Sequence, residues 1–306
     1  MKRQVAIIGT GWVGSSVAIS TLHAGIADEL LLCDIRKEVA EGEAMDLAHG
    51  ASFYPTAEVR AASIEEIAGA DAIVVAAGRG GRPGESRLDL LRENAAVIRE
   101  IGRRLIGCRG ILVMVTNPVD VLTQAMTEVS NLPPARVVGT GTMLDTARLR
   151  HVLSRRLNVD PRSVHAHVVG EHGDSEVVLW SAAWVGSVRL RDWPGWNQEH
   201  EAVLAEQVRR AAFEIIRRKG ATNHAIGLIT ADLLRSLLRD ERRVLTVSRL
   251  QEGAAGLRNV ALSLPAVVGA MGAAQVLEPE MSTQERLSLE HSADVLRIAA
   301  AELRTA

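Results

Sequence analysis

"QVAIIGTGWVGSSVA", residues 4–18, sets Gly9, Gly11 and Gly14 in the spacing G-x-G-x-x-G, directly after an apolar run and at the head of a more polar one. That spacing has a physical sense where a strand turns sharply into a helix. Gly9 then permits the tight turn, Gly11 lets a pyrophosphate approach the backbone, and Gly14 lets helix and strand pack closely, with the helix N-terminus facing the phosphates. Outward from it, "ELLLCD" reads as a second strand closing on Asp34, 20 residues after Gly14. An acid there accepts hydrogen bonds from ribose hydroxyls. Its charge repels a 2′-phosphate, which favours NAD over NADP, with Arg36 and Lys37 as the counterargument. The alternative is a glycine turn that serves backbone geometry alone, with Asp34 a solvated acid.

The same alternation continues. Short β-branched runs ("VAIIG", "ELLLCD", "DAIVVAAG", "GILVMVTNP", "ARVVGTG") are separated by longer amphipathic stretches, the pattern of βαβ units around a parallel sheet. Runs apolar on both faces belong in a sheet covered by helices on both sides. From about Met143 the character changes. A helix over "LDTARLRHVLSRRL", alternating strands around "SVHAHVVG" and "EVVLWSAAWV", and long helices near 200–219, 222–239 and 282–303 suggest a second, α+β domain. The expectation is therefore an α/β chain with a Rossmann dinucleotide-binding domain over 1–142 and a substrate domain over 143–306.

At 306 residues, 47% hydrophobic, 24% charged and with formal net charge −2, the chain has no bulk attraction to nucleic acid or anionic membrane. The longest weakly polar run, "LSLPAVVGAMGAAQVL", is broken by a proline and two glycines and is too short to span a bilayer. Cys33 and Cys108 form neither a disulfide framework nor a metal-ligand spacing, so no metal is expected. A cytoplasmic protein is expected.

Two further stretches carry chemistry. In "VVGEHGDSEVV", His172 stands between Glu171 and Gly173 at a strand end; His165 and His167 before it are reminders that a lone histidine is more often structural. In "GTGTMLDTARLR", Asp145 and Arg148 are three apart and share a helix face. The acid can fix an imidazole tautomer and raise its pKa, and the guanidinium can bind a carboxylate through two parallel hydrogen bonds. They can equally well pair only with each other.

Taken in order, "GTGWVG", "LLCDIR", "AMDLAHG", "AAGRGGRPGESRLDLLREN", "TNPVDVLT", "GTGTMLDTARLR", "GEHGDSEV", "KGATNHAIG" and "VLTVS" resemble the NAD-dependent lactate/malate dehydrogenase family from about Val5 to the last helix. The resemblance implies that His172 and Asp145 form the proton relay, that Arg148 grips a substrate carboxylate, and that Arg87 sits in a lid formed by the glycine-rich segment after residue 78. It implies that Asn117 orients substrate and nicotinamide and that Thr222 lines the pocket. Trp12, Val13, Ala77, Gly78 and Asn94 join Gly9, Gly11, Gly14, Asp34 and Asn117 around the cofactor. The position that separates lactate from malate enzymes falls on Gly81, which can neither hydrogen-bond through a side chain nor pair with a second carboxylate. Lactate and pyruvate, a bulkier 2-hydroxy acid filling the space at Gly81, and malate with Arg82 or Arg79 swung inward all stay open. Glu171 and Thr222 lean toward lactate. Arg150 and His165 resemble positions that bind fructose 1,6-bisphosphate between subunits, and the helices near 36–50 and 222–239 resemble surfaces that form homodimers or homotetramers. Two rivals are an NAD-dependent glycosidase-like hydrolase and a non-catalytic NAD-binding protein.

Overall fold

The computed structural model describes residues 2–80 and 87–304, with the backbone alone at Arg87. Gly81 and Arg82 therefore lie outside the described residues, as does the side chain of Arg87.

The first half alternates as its sequence predicts, with β3 and α3 as elements the sequence did not signal: β1 (Gln4–Ile8), α1 (Trp12–His23), β2 (Glu29–Cys33), α2 (Lys37–His49), β3 (Glu58–Ala61), α3 (Ile64–Ile67), β4 (Ala72–Val75), α4 (Arg87–Arg104), β5 (Ile111–Met114), α5 (Val119–Ser130) and β6 (Val137–Gly139). The second half runs α6 (Met143–Leu157), β7 (Val164–His165), β8 (Val168–Val169), β9 (Val177–Val178), β10 (Trp184–Val185), β11 (Val188–Arg189), α7 (His200–Lys219), α8 (His224–Leu238), β12 (Arg243–Glu252), β13 (Arg258–Gly269), β14 (Gly272–Val276) and α9 (Thr283–Arg304).

Strand order across the main sheet is β14-β13-β12-β6-β5-β4-β1-β2-β3. The strands β1 to β6 are parallel, as right-handed crossovers through helices require. Alternate residues of each central strand feed opposite cores. Ala6, Ile8, Ile73 and Val75 pack with Leu91, Ile98, Leu122 and Leu296 from α4, α5 and α9. Val5, Ile7, Leu30 and Val74 pack with Val17, Leu22, Ala40 and Leu234 from α1, α2 and α8. Each fully buried branched aliphatic contributes about 1.5–3 kcal/mol, so neither face tolerates polar substitution.

The second half departs from its expected outline in two ways. It adds three antiparallel strands to the same sheet, joined to the first half by the pairing of Ser248 with Gly139. The run containing Pro265, weighed above only as a membrane span, is most of the β13–β14 hairpin. Pro265 is tolerated there because it stands at the end of the β13–β14 ladder: its carbonyl accepts from Leu277 N, just past the last paired residue, and its missing N–H costs only the terminal reciprocal bond. The alternating stretches around "SVHAHVVG" and "EVVLWSAAWV" form no long strands. They break into two-residue pieces in two small sheets, β11-β10-β7 and β8-β9, over a third core of Leu149, Leu153, Val164, Val185 and Leu204. Among the described residues no helix is long and apolar enough to cross a membrane, and no group of three His, Cys, Asp or Glu could hold a metal ion.

Candidate active site

The glycine turn is built as a dinucleotide would need it. Gly9 has φ +92°, and a Cβ there would lie 2.6 Å from the Ala77 amide nitrogen. A Cβ on Gly14 would lie 1.9 Å from the Gly9 carbonyl oxygen, so helix and strand meet only because that side chain is absent. Over Gly11 the space is open to at least 4 Å. Helix α1 has no side-chain cap, leaving its first N–H groups available to a phosphate. The Asp34 carboxylate is fixed by three donors, accepting from Thr10 N (2.9 Å) and Thr10 Oγ1 (3.2 Å) on Oδ2 and from Arg36 N (3.0 Å) on Oδ1. These residues fit NAD. Trp12 opens α1 and is exposed, and Val13 beside it is half-buried.

Across the cleft, β4 and β5 end on residues that brace one another. Thr116 donates through Oγ1 to the Ala77 carbonyl (2.7 Å), and Gly78, at φ +156°, has no room for a Cβ beside Thr116. Asn94 is buried beneath them. Its Oδ1 accepts from Arg79 N, and its amide nitrogen donates to the carbonyls of Arg79 (3.2 Å) and Asn117 (3.0 Å). Asn117 itself is exposed, and its Oδ1 accepts from Val119 N at the head of α5.

His172 occupies the loop between β8 and β9, which four contacts hold. Gly170 exchanges backbone hydrogen bonds with Ser263 (2.9 and 3.0 Å), Glu171 N donates to Ser292 Oγ, Ser175 donates to the Glu171 carboxylate, and His172 N donates to Asp120 Oδ2 at 2.7 Å. Glu171, weighed for specificity in the sequence, thus spends its carboxylate within its own loop. On the facing side α6 is tied to β8 through Thr142 and Thr146, which bond Val168 (Thr142 Oγ1 to Val168 O 2.6 Å, Val168 N to Thr146 Oγ1 3.0 Å). Asp145 lies between those threonines. Its Oδ2 is 2.6 Å from His172 Nδ1, and its Oδ1 accepts from Arg148 Nη1 at 2.8 Å. The two readings of the Asp145–Arg148 spacing are therefore both realised, one carboxylate serving both cations.

The Asp145 side chain keeps 3% of its surface, Arg148 13% and His172 23%, so only the ring opens appreciably to the cleft. Burial works against charge on the imidazole, yet the Asp145 carboxylate, with a smaller contribution from Asp120, raises His172 to about 9. Burial also opposes ionisation of Asp145, but the charges of His172 and Arg148 hold it below the usual carboxylate range. At neutral pH the ring is thus an imidazolium, with Nε2 left to donate. Among the described residues Arg148 spends one donor on Asp145, and its fork retains others.

Thr222 is half-buried in the turn between α7 and α8. Asn223 pins that turn to the nucleotide-binding half, accepting from Lys219 Nζ (2.7 Å) and donating to Ser16 Oγ on α1 (3.1 Å). Arg150 Nε donates to the Ala166 carbonyl (3.2 Å), which places it beside exposed His165. The sequence reading passed over Asp120, Glu176 and Asn223. Glu176 is buried behind the pair, pushed up to about 8 by burial and the Asp145 charge. The apolar residues after Glu176 and the position of Asp120 in the first turn of the helix after "TNP" were the available signals.

A nucleotide crevice alone asks for no acid; an imidazolium poised across from it points to a dehydrogenase that reduces a carbonyl. Sequence comparison then narrows the class. The profile described as lactate/malate dehydrogenase, NAD binding domain, matches residues 3–139, and that described as lactate/malate dehydrogenase, alpha/beta C-terminal domain, matches residues 142–304. The chain belongs to the lactate/malate dehydrogenase family, and its cofactor is NAD. It is 45% identical to the L-lactate dehydrogenase of Synechococcus sp. (strain JA-3-3Ab), over 95% of this chain and 96% of that protein. It is 43% identical to that of Thermus aquaticus, over 98% and 99%. The minor L-lactate dehydrogenase of Enterococcus mundtii superposes with a TM-score of 0.95 at 38% identity, covering 98% of each chain.

Proposed function

We propose that this protein reduces pyruvate to L-lactate with NADH, and runs the reverse, with residues 1–142 holding the cofactor and 143–306 supplying the acid and the substrate clamp. The observation that carries the reading is Asp145 gripping His172 and Arg148 together. Bound NADH supplies the hydride to the carbonyl carbon. As charge grows on the carbonyl oxygen, His172 donates its Nε2 proton while Asp145 stabilises the ring through Nδ1. The remaining Arg148 donors hold the substrate carboxylate by parallel hydrogen bonds, fixing the carbon in reach of the nicotinamide. Arg87 adds positive charge at the oxygen, an interaction that typically lowers such barriers by about 3 kcal/mol. Asn117 and Thr222 line the pocket, and Gly9, Gly11, Trp12, Val13, Gly14, Asp34, Ala77, Gly78 and Asn94 shape the cofactor crevice. Family membership sets aside the glycosidase reading. The two free thiols suit a cytoplasmic setting.

Pyruvate ranks above oxaloacetate and larger 2-oxo acids because the relatives quoted are L-lactate dehydrogenases. Purified protein assayed by NADH oxidation on pyruvate, oxaloacetate, 2-oxobutyrate and branched 2-oxo acids should favour pyruvate. Gly81→Arg should then raise oxaloacetate turnover relative to pyruvate by about tenfold or more, the worth of one charge-assisted hydrogen bond. No rise would mean that Gly81 is not the specificity position.

Two surfaces extend the reading. A cleft of about 1130 Å³ runs from the glycine turn between α1, α2 and the start of α8, lined by charged Arg36, Glu43, Asp46 and Lys219 as well as by Ile19 and Phe53, with Met45 and Leu228 also exposed. Exposed Ile19, Met45, Phe53 and Leu228 on α1, α2 and α8 suit an interface, and a second copy of the chain is the occupant we infer. Arg150 has no carboxylate partner among the described residues, and burial with the Arg243 charge pulls its pKa below the usual range. A cation so placed, beside His165, favours an anionic effector such as fructose 1,6-bisphosphate. Pyruvate saturation and sedimentation, each measured with and without the bisphosphate, test both surfaces. A dimer or tetramer whose pyruvate KM falls on addition is expected; a monomer, or superimposable curves, would remove the corresponding proposal.

A further inference from the structure

We propose that Asp120 is a positioning residue for His172, a second carboxylate that grips the backbone amide of the acid's own residue and adds its charge to that of Asp145 in holding the imidazolium. This rests on reading His172 as the proton donor.

Asp120 lies in the first turn of α5, three residues after Asn117, and is 2% exposed. An acid in a first helical turn ordinarily faces the free amides at its own helix start. Here Oδ2 accepts instead from His172 N, 52 positions away, at 2.7 Å. The bond ties the strand end that carries Asn117 to the loop that carries the imidazole. Among the described residues neither buried Oδ1 nor buried Ser248 Oγ on β12 meets a partner in full hydrogen-bond geometry, although the Ser248 hydroxyl stands close enough to favour the ionised carboxylate. A structural clamp needs only an oxygen acceptor. A carboxylate kept out of water costs free energy that an amide or hydroxyl does not, and what it adds is negative charge.

The surrounding charges make that addition count. His172 meets Asp145 and Arg148 from α6, Asp120 from α5, and Glu171 and Glu176 from its own loop, with Arg209 of α7 beyond Glu176. Asp145 is half-neutralised by its ion pair with Arg148. Glu176, pushed up to about 8, is protonated at neutral pH. Glu171 is bound by Ser175. Burial lifts Asp120 itself only to about 6, so near neutrality it is the anion beside the ring with no cation paired to its side chain among the described residues.

Asp120→Asn keeps the acceptor and removes the charge, so the imidazolium loses support and its pKa falls. Two measurements read this. One is the pH dependence of His172 carbethoxylation in the cofactor-free protein, followed by mass spectrometry of its peptide. The other is the alkaline limb of kcat/KM for pyruvate reduction. Both midpoints should move down by about one pH unit in the variant, with thermal midpoint and NADH affinity near wild type. Coincident wild-type and variant midpoints would overturn the proposal and leave Asp120 a structural clamp. Should Asp120→Asn be recovered unfolded, Asp120→Ser carries the same comparison. A wild-type protein that reduces no 2-oxo acid would instead sink the function itself, whatever the variant does.

Discussion

His172→Asn is expected to lower kcat for pyruvate reduction by between about 10² and 10⁴-fold, the range general acid catalysis supplies. NADH affinity should change little, because the ring touches Asp145 and the loop rather than the glycine turn. The pH dependence gives a sharper signature. Reduction needs the protonated ring, so in wild type kcat/KM for pyruvate is flat through neutrality and falls as pH rises through about 9. Lactate oxidation needs the neutral ring and rises over the same interval. In the variant the residual reduction rate should lose that alkaline limb. Steady-state kinetics from pH 6 to 10 check both, and a variant with wild-type turnover would remove His172 as the acid.

Arg148→Gln comes second. A carboxylate bound through two charge-assisted hydrogen bonds gains about 1.5–3 kcal/mol from each. Losing both should cut kcat/KM for pyruvate by between about 10² and 10⁴-fold, carried mainly by KM. Arg148→Lys should recover little, since an ammonium on a flexible stem cannot reproduce the planar fork. The variant also frees Asp145 Oδ1 from its cation, so its alkaline limb should move to higher pH, opposite in sign to the shift for Asp120→Asn. A pyruvate KM within a few-fold of wild type would mean that the substrate carboxylate is held elsewhere.

The two halves of the chain were unequally legible. The first announces itself because its central strands are apolar on both faces and follow one another at regular intervals, a local pattern that tertiary context leaves intact, whereas β3, "EVRA", carries Glu58 and Arg60 and gives no such signal. The second hides its strands. "VLTVS" and the run around Pro265 become sheet only because β6 offers an edge that no local pattern reports. Around "SVHAHVVG" the alternation is real, but Gly170, at φ +85°, turns the chain out of the sheet just before His172. The site follows the same division. Gly9, Gly14 and Asp34 are readable because they recur at a fixed spacing along the chain, whereas Asp120 and Glu176 owe their roles to burial against residues that no spacing relates to them. Even the Asp145–Arg148 spacing was ambiguous on paper, since it takes the folded loop to bring a third group to the same carboxylate.

The single sheet that crosses the middle of the chain has a consequence for recombination. Exchanging halves with a relative at a junction near residue 142 keeps every helix intact, yet it transplants one side of the β6–β12 seam, where Ser248 stands against a glycine with no space for a side chain. A chimera made this way has to match at that pair, and also where Leu234 of α8 and Leu296 of α9 pack against the first half's strands, however well the donor's cofactor and substrate residues match.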